Sequence, residues 1–240
     1  MFRLKMISVA GIGRKSVVFF LVSSAVTWPT STVASEKRIE VEGQRRGDAV
    51  AITKVTLGDS ELQCGVPLTP WEFQPIAPFE AGDDWLRRLT IYIFNHTNKT
   101  IVHGQIILEF PETGDGKQTP MQVLPLTLGR LPQSAAYSAR TGKPILYISP
   151  LPPISFAPGQ TMEIRVKDFT DRGSISDNAL WGSTTRCIVR RGSFFFEDGM
   201  RWYLKRYSTP DPFHPGRFNN LEPRYFPGDE RLNWPPGYSR

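Results

Sequence analysis

The residues of this chain whose chemistry could turn over a substrate or hold a metal are three histidines, two cysteines and three adjacent carboxylate pairs. His96, His103 and His214 lie far apart, and none has the close spacing of a metal-ligand pair. No metal site is expected, and no catalytic residue is assigned among them. Hydrolysis of a glycosidic bond needs two carboxyl groups flanking it. Asp83-Asp84, Glu197-Asp198 and Asp229-Glu230 do not meet that need, because neighbours on a strand point to opposite faces. They read as solvated turn charges. No Gly-x-Ser-x-Gly, His-Glu-x-x-His or phosphate-cradling glycine loop occurs, and no cofactor is expected. Asn95-His96-Thr97 and Asn98-Lys99-Thr100 match the glycosylation acceptor pattern but read better as a polar turn.

The feature with the best claim to a binding role is aromatic. Ser193 to Tyr203 contains Phe194, Phe195, Phe196, Trp202 and Tyr203 around Asp198-Gly199, the pair favoured in a two-residue type I′ hairpin turn. That turn opposes Phe195 to Trp202 and Phe194 to Tyr203, so both faces of the ribbon are aromatic. One face can lie on a core. The other offers a candidate binding platform of Phe194, Phe195, Trp202 and Tyr203 for sugar rings, proline-rich segments or protein partners. The alternative is that core and tail cover both faces.

The elements that must position these residues read as strands. Arg38–Glu42 alternates with period two, and Ala49–Leu57 is β-branched and closed by Gly58-Asp59. Leu62–Cys64, Leu89–Phe94, Ile101–Phe110, Gln122–Leu128, Ile145–Ile148 and Met162–Val166 follow. Ala157-Pro158-Gly159-Gln160 supplies a turn before the last of them. The pair 89–94 and 101–110 reads as a hairpin about the polar turn 95–100. Asp168–Trp181 is expected to hold a short helix or irregular connection. With 21 prolines and no long stretch of 3.6-residue period, a mostly helical protein is not expected. The expected architecture is an antiparallel sandwich over 36–207 with a C-terminal hairpin; a barrel is the competitor. Ser208–Arg240, with seven prolines in 33 residues, reads as an extended irregular tail.

Residues 1–35 read as a signal peptide. Arg3, Lys5, Arg14 and Lys15 form a basic start, Val17–Val22 an apolar run, and Thr30–Ser35 a small-residue stretch with cleavage expected after Ala34 or Ser35. The apolar run is far shorter than the roughly 20 residues that span a bilayer, so no membrane span is expected after cleavage. Export places the protein outside the cytoplasm, periplasmic or secreted. There an isolated cysteine pair most simply forms a disulfide. Cys64–Cys187 would close a loop of about 120 residues and remove on the order of 4–5 kcal/mol of unfolded-state freedom; two separate buried thiols are the alternative. The formal charge of +6 does not indicate nucleic acid. Four of those charges lie in residues 1–35, and the +2 that remains forms no dense basic stripe.

The polar turn Asn95–Thr100 between two strands, and the Ala157–Gln160 turn entering another, resemble the Ig-like or fibronectin-type β-sandwich modules of exported bacterial proteins over about residues 45–170. The resemblance implies a sandwich fold and a binding or structural role, with no family site residue to carry over; the partner expected is an envelope protein or glycan. The function expected is therefore an exported, non-enzymatic binding or structural protein of the envelope or exterior. A secreted hydrolase acting on polysaccharide with carboxylate chemistry is the alternative.

Overall fold

The computed structural model describes residues 34–44, 47–62, 73–113, 122–132, 143, 151–170, 184–204 and 206–221. The expected signal peptide apart from its last residues, Cys64, the strand at 145–148 and the chain beyond 221 lie outside these. Among the described residues the chain is all-β, with two mainly antiparallel sheets. No helix there is long and apolar enough to cross a membrane.

The smaller sheet has the order β3-β2-β6-β9, formed by Ser60–Leu62, Val50–Leu57, Leu89–Asn95 and Thr161–Arg165. The larger sheet is built on β10 (Arg186–Phe196). One edge of β10 pairs with β7 (Ile101–Phe110), which pairs in turn with β8 (Gln122–Leu128). The other edge is shared. β1 (Ser35–Glu42) runs parallel to Arg186–Val189, and β11 (Arg201–Tyr203) runs antiparallel to Phe194 and Phe195. β4 (Phe73–Pro75) and β5 (Phe79–Ala81) border β1. β12 (Arg206–Pro210) and β13 (Phe218–Asn220) extend the sheet beyond β11. One helical turn, α1 (Lys167–Thr170), follows β9.

Both sheets feed one core. Ile52, Val55, Ile91, Ile93 and Ile164 from the smaller sheet meet Ile39, Ile106, Leu108, Leu126 and Val189 from the larger one, all nearly inaccessible. Alternation explains this: β6 buries Leu89, Ile91, Ile93 and Asn95 and leaves Thr90, Tyr92 and Phe94 half-buried.

Three expectations change here. Strands β6 and β7 form no hairpin, because they belong to different sheets. The segment between them is a corner over the end of the sandwich, fastened by side chains. Asn95 Nδ2 donates to the carbonyls of Lys99 and Phe156, while Thr97 N and Oγ1 donate to Asn95 Oδ1. Asn95 is fully buried in this role, whereas Asn98 is exposed. β4 and β5 form after Cys64, where no strand is expected, and the expected tail contains most of β12 and all of β13. The Pro158-Gly159 turn forms as expected, with Gly159 at φ +71° and Gln160 N donating to Ala157 O.

One bulge decides which side chains β10 buries. Its register with β7 shifts between Arg191 and Phe194, at Gly192-Ser193, so one extra residue reverses the alternation. Before it Cys187, Val189 and Arg191 point inward; after it Phe194 and Phe196 do. Gly192 leaves little choice of residue, since a Cβ there would stand 2.9 Å from Gln105 Cβ. Gly104 is equally constrained: its Cβ would fall 2.5 Å from the Phe194 ring that covers it.

Candidate functional site

The hairpin between β10 and β11 forms, but its turn differs from the expected one. Phe194 pairs with Trp202 and Phe195 with Arg201. Gly199 N donates to Phe196 O, Phe196 N donates to Met200 O, and Gly199 has φ +83°. This is a three-residue loop, a tight turn followed by a left-handed glycine. The extra loop residue moves the register by one, so the expected pairs Phe195–Trp202 and Phe194–Tyr203 are replaced.

The inner face of the ribbon is core. Phe194, Phe196 and Trp202 are at most 1% exposed; the Phe194 ring lies 5.9 Å from Trp202, and Phe196 stacks on Tyr207 at 6.0 Å. Beside them sits a buried charge, Arg191. Its Nε and backbone N donate to Glu42, its guanidinium donates to Asp48 and to the carbonyls of Gly43 and Val50, and it lies 5.8 Å over the Trp202 ring. These contacts tie β10 to the end of β1 and the start of β2. Glu42 and Asp48 thus converge, but on a buried arginine and with almost no exposure themselves. His96 is buried nearby. Burial first, and then the positive Arg191, lower its pKa to about 4.

The outer face differs. Phe195 is covered there by His103 and Phe218, edge to face at 5.6 and 5.8 Å. His103 is held through Nδ1, 3.0 Å from Gly129 O, and its pKa is lowered by burial against the opposing effect of that carbonyl. Past Phe195 the face opens. The Arg201 guanidinium lies 4.2 Å from the Phe218 ring centre and 5.5 Å from that of Tyr203. Tyr203 is 44% exposed and Leu204 67%. Leu204 adopts φ +46° at the tip of the β11–β12 hairpin. A leucine there is strained and exposed at once, a combination found at functional surfaces.

Of the four residues expected in an aromatic platform, Phe194, Phe195 and Trp202 are therefore buried, and Tyr203 is open. The Asp83-Asp84 and Glu197-Asp198 pairs lie in exposed turns, with Asp198 engaged by Lys99 and by the Met200 amide; Asp229-Glu230 lies outside the described residues. His214 binds Asp211 at the surface. Cys187 is fully buried, which drives the pKa of its thiol far upward, and no disulfide is seen among the described residues, which do not include Cys64. Among those residues no His, Cys, Asp or Glu cluster could hold a metal. Sequence reasoning missed Arg201, Arg206 and Phe218. The available signal was the alternation Arg201-Trp202-Tyr203, which puts the flanking residues on the face opposite the tryptophan.

Fold and site together define an all-β protein of two sheets with an aromatic-arginine surface at the edge of the larger one. Comparison with protein families, curated proteins and solved structures finds nothing that matches this chain.

Proposed function

We propose that this is an exported, non-enzymatic binding protein built on an Ig-like β-sandwich, and that it binds through the outer face of β10–β13. The observation that carries the binding reading is Tyr203, an exposed ring held against a half-buried arginine next to a strained, exposed Leu204. Aromatic and arginine side chains dominate binding energy where they become desolvated. Strand order supports the Ig-like reading. β2, β6 and β9 lie in one sheet and β8, β7, β10 and β11 in the other, as strands A, B and E face C′, C, F and G in a fibronectin-type sandwich. β1 is an addition to that pattern. Export is supported by the basic, apolar and small-residue order of residues 1–35, and β1 opens at Ser35, where cleavage is expected.

Binding of the protein and of Tyr203→Ala to a panel of polysaccharides and envelope fractions tests the site. Loss of binding in a variant that melts like the parent supports it; equal binding by both refutes it. A hydrolase would need two carboxyl groups open to substrate, whereas Glu42 and Asp48, which meet among the described residues, are buried on Arg191. Release of new reducing ends from the panel would reverse that conclusion. The intact mass of the exported protein tests cleavage near Ser35, and non-reducing peptide mapping decides whether Cys64 and Cys187 are joined.

A further inference from the structure

Among the described residues, positive charge on the outer face of β11–β13 has no neutralising partner. On β10 each arginine meets a carboxylate: Arg186 meets Glu40 at 2.6 Å, Arg190 meets Glu109 at 2.9 Å, and Arg191 meets Glu42 and Asp48. Arg201 and Arg206 form no ion pair among the described residues. Arg201 Nε is a buried donor without an acceptor. Its guanidinium rests instead on the rings of Phe218 and Tyr203. Rings fix the plane of a guanidinium without occupying its in-plane donors, so the Nη groups of Arg201, which have no acceptor among the described residues, stay oriented to take an anion. Burial also pulls the Arg201 pKa down from its ordinary value, a sign of a desolvation whose cost an incoming anion would offset.

Register defines the rest of the surface. Arg206 pairs with Tyr203, and Ser208 with Arg201, so both arginines lie on the same face and flank one exposed ring. We infer that this face binds a uronic-acid oligosaccharide, with Arg201 and Arg206 receiving its carboxylates and Tyr203 stacking on a pyranose ring. The inference rests on the outer-face binding reading and adds the ligand's chemistry to it. A uronate joins a flat C–H face and a carboxylate in one rigid ring, which matches a flat aromatic beside the ring-held guanidinium of Arg201. An acidic peptide carries its carboxylates on flexible arms and offers no such plane for Tyr203.

Calorimetric titration of the full chain with tetragalacturonate, its methyl ester and poly-glutamate, at low and high salt, tests this. Tetragalacturonate is expected to bind, more weakly as salt rises, and its methyl ester at least about tenfold more weakly. Arg201→Gln and Arg206→Gln should each weaken binding of the acid about tenfold without altering its preference for the ring. Arg206 is exposed, so its variant keeps the test valid should Arg201→Gln fold poorly. Equal affinity for acid and ester, both lost in Tyr203→Ala, would overturn the anionic ligand and leave the outer-face reading standing. Poly-glutamate bound as tightly as tetragalacturonate would overturn the sugar. Absence of tetragalacturonate binding overturns the inference outright, and the neutral panel with Tyr203→Ala then decides the broader reading separately.

Discussion

The two faces of the β10–β11 ribbon draw on the same residue types and meet opposite fates. Inward, Phe194, Phe196 and Trp202 are sealed against the core with Tyr207. Outward, Phe195 is covered by His103 and Phe218, and Tyr203 faces solvent. The charges divide the same way: the inner Arg191 is fully paired, and the outer Arg201 leans on rings. Composition therefore does not tell a core aromatic from a binding aromatic. Two backbone irregularities do, the bulge at Gly192-Ser193 and the three-residue loop ending at Gly199, because each moves every later side chain to the other face.

Inner-face substitutions should be the most damaging. Trp202→Ala is expected to cost about 3–5 kcal/mol in chemical denaturation, as large aromatic truncations in cores do. Arg191→Ala should cost a similar amount, about 3–5 kcal/mol, because it strands two buried carboxylates. An Arg191→Ala protein as stable as the parent would show that the Glu42–Asp48 network is open to water.

Acid should expose the same inner region next. His96 titrates near 6.5 when unfolded and at about 4 when folded. As pH falls from 6.5 to 4 the unfolded chain takes up this proton first, so stability declines across that window and levels off below it. The loss is at most about 3 kcal/mol. His103 adds to the decline in the same direction. The urea midpoint followed from pH 7 to 4 measures it, and His96→Phe should flatten the slope; an unchanged slope would place the acid sensitivity elsewhere.

Much of this fold was legible in the sequence, for identifiable reasons. β7 and β8 fall where alternation puts them, Ile101–Phe110 and Gln122–Leu128, because a half-buried strand shows its period locally. Pairing was less legible. The Asn95–Thr100 turn has hairpin chemistry, yet Asn95 spends its amide on Phe156, 61 positions away, and the turn becomes a corner. β4, β5 and β13 hide near prolines, since three-residue strands have no period to detect, and the five-residue β12 ends on a proline at the start of the expected tail. At the site, the aromatic hairpin could be read, while the one-residue shift set by Gly199 and the reversal at Gly192 could not. Neither leaves a local mark beyond a glycine, and glycine also marks ordinary turns. Arg201 became visible only once its face was known.

The glycine that sets the register should register a smaller effect than the core. Gly199→Ala places a Cβ at φ +83° and should destabilise by about 1–2 kcal/mol. If the residue serves only the turn, the loss should appear without a change in tryptophan environment. A shifted Trp202 emission spectrum in the folded variant would mean that the ribbon has changed its pairing and exchanged its faces.

The smallest effect on stability belongs to the outer face, and the comparison depends on it. Tyr203 lies on a short strand near the sheet edge, and its described ring contact is with Arg201. Truncation to alanine removes a partly solvated ring and leaves no cavity, so Tyr203→Ala should change the folding free energy by no more than about 0.5 kcal/mol. The paired measurement is Phe195→Ala, on the same face but buried between His103 and Phe218. That change should cost about 3 kcal/mol or more. A large difference between the two would divide the outer face into a structural floor at Phe195 and an exposed rim at Tyr203. If Tyr203→Ala proved as costly as Phe195→Ala, the ring would be a cover for Arg201 and Phe218, required by the fold itself, and the contrast between a sealed inner face and an available outer one would fail.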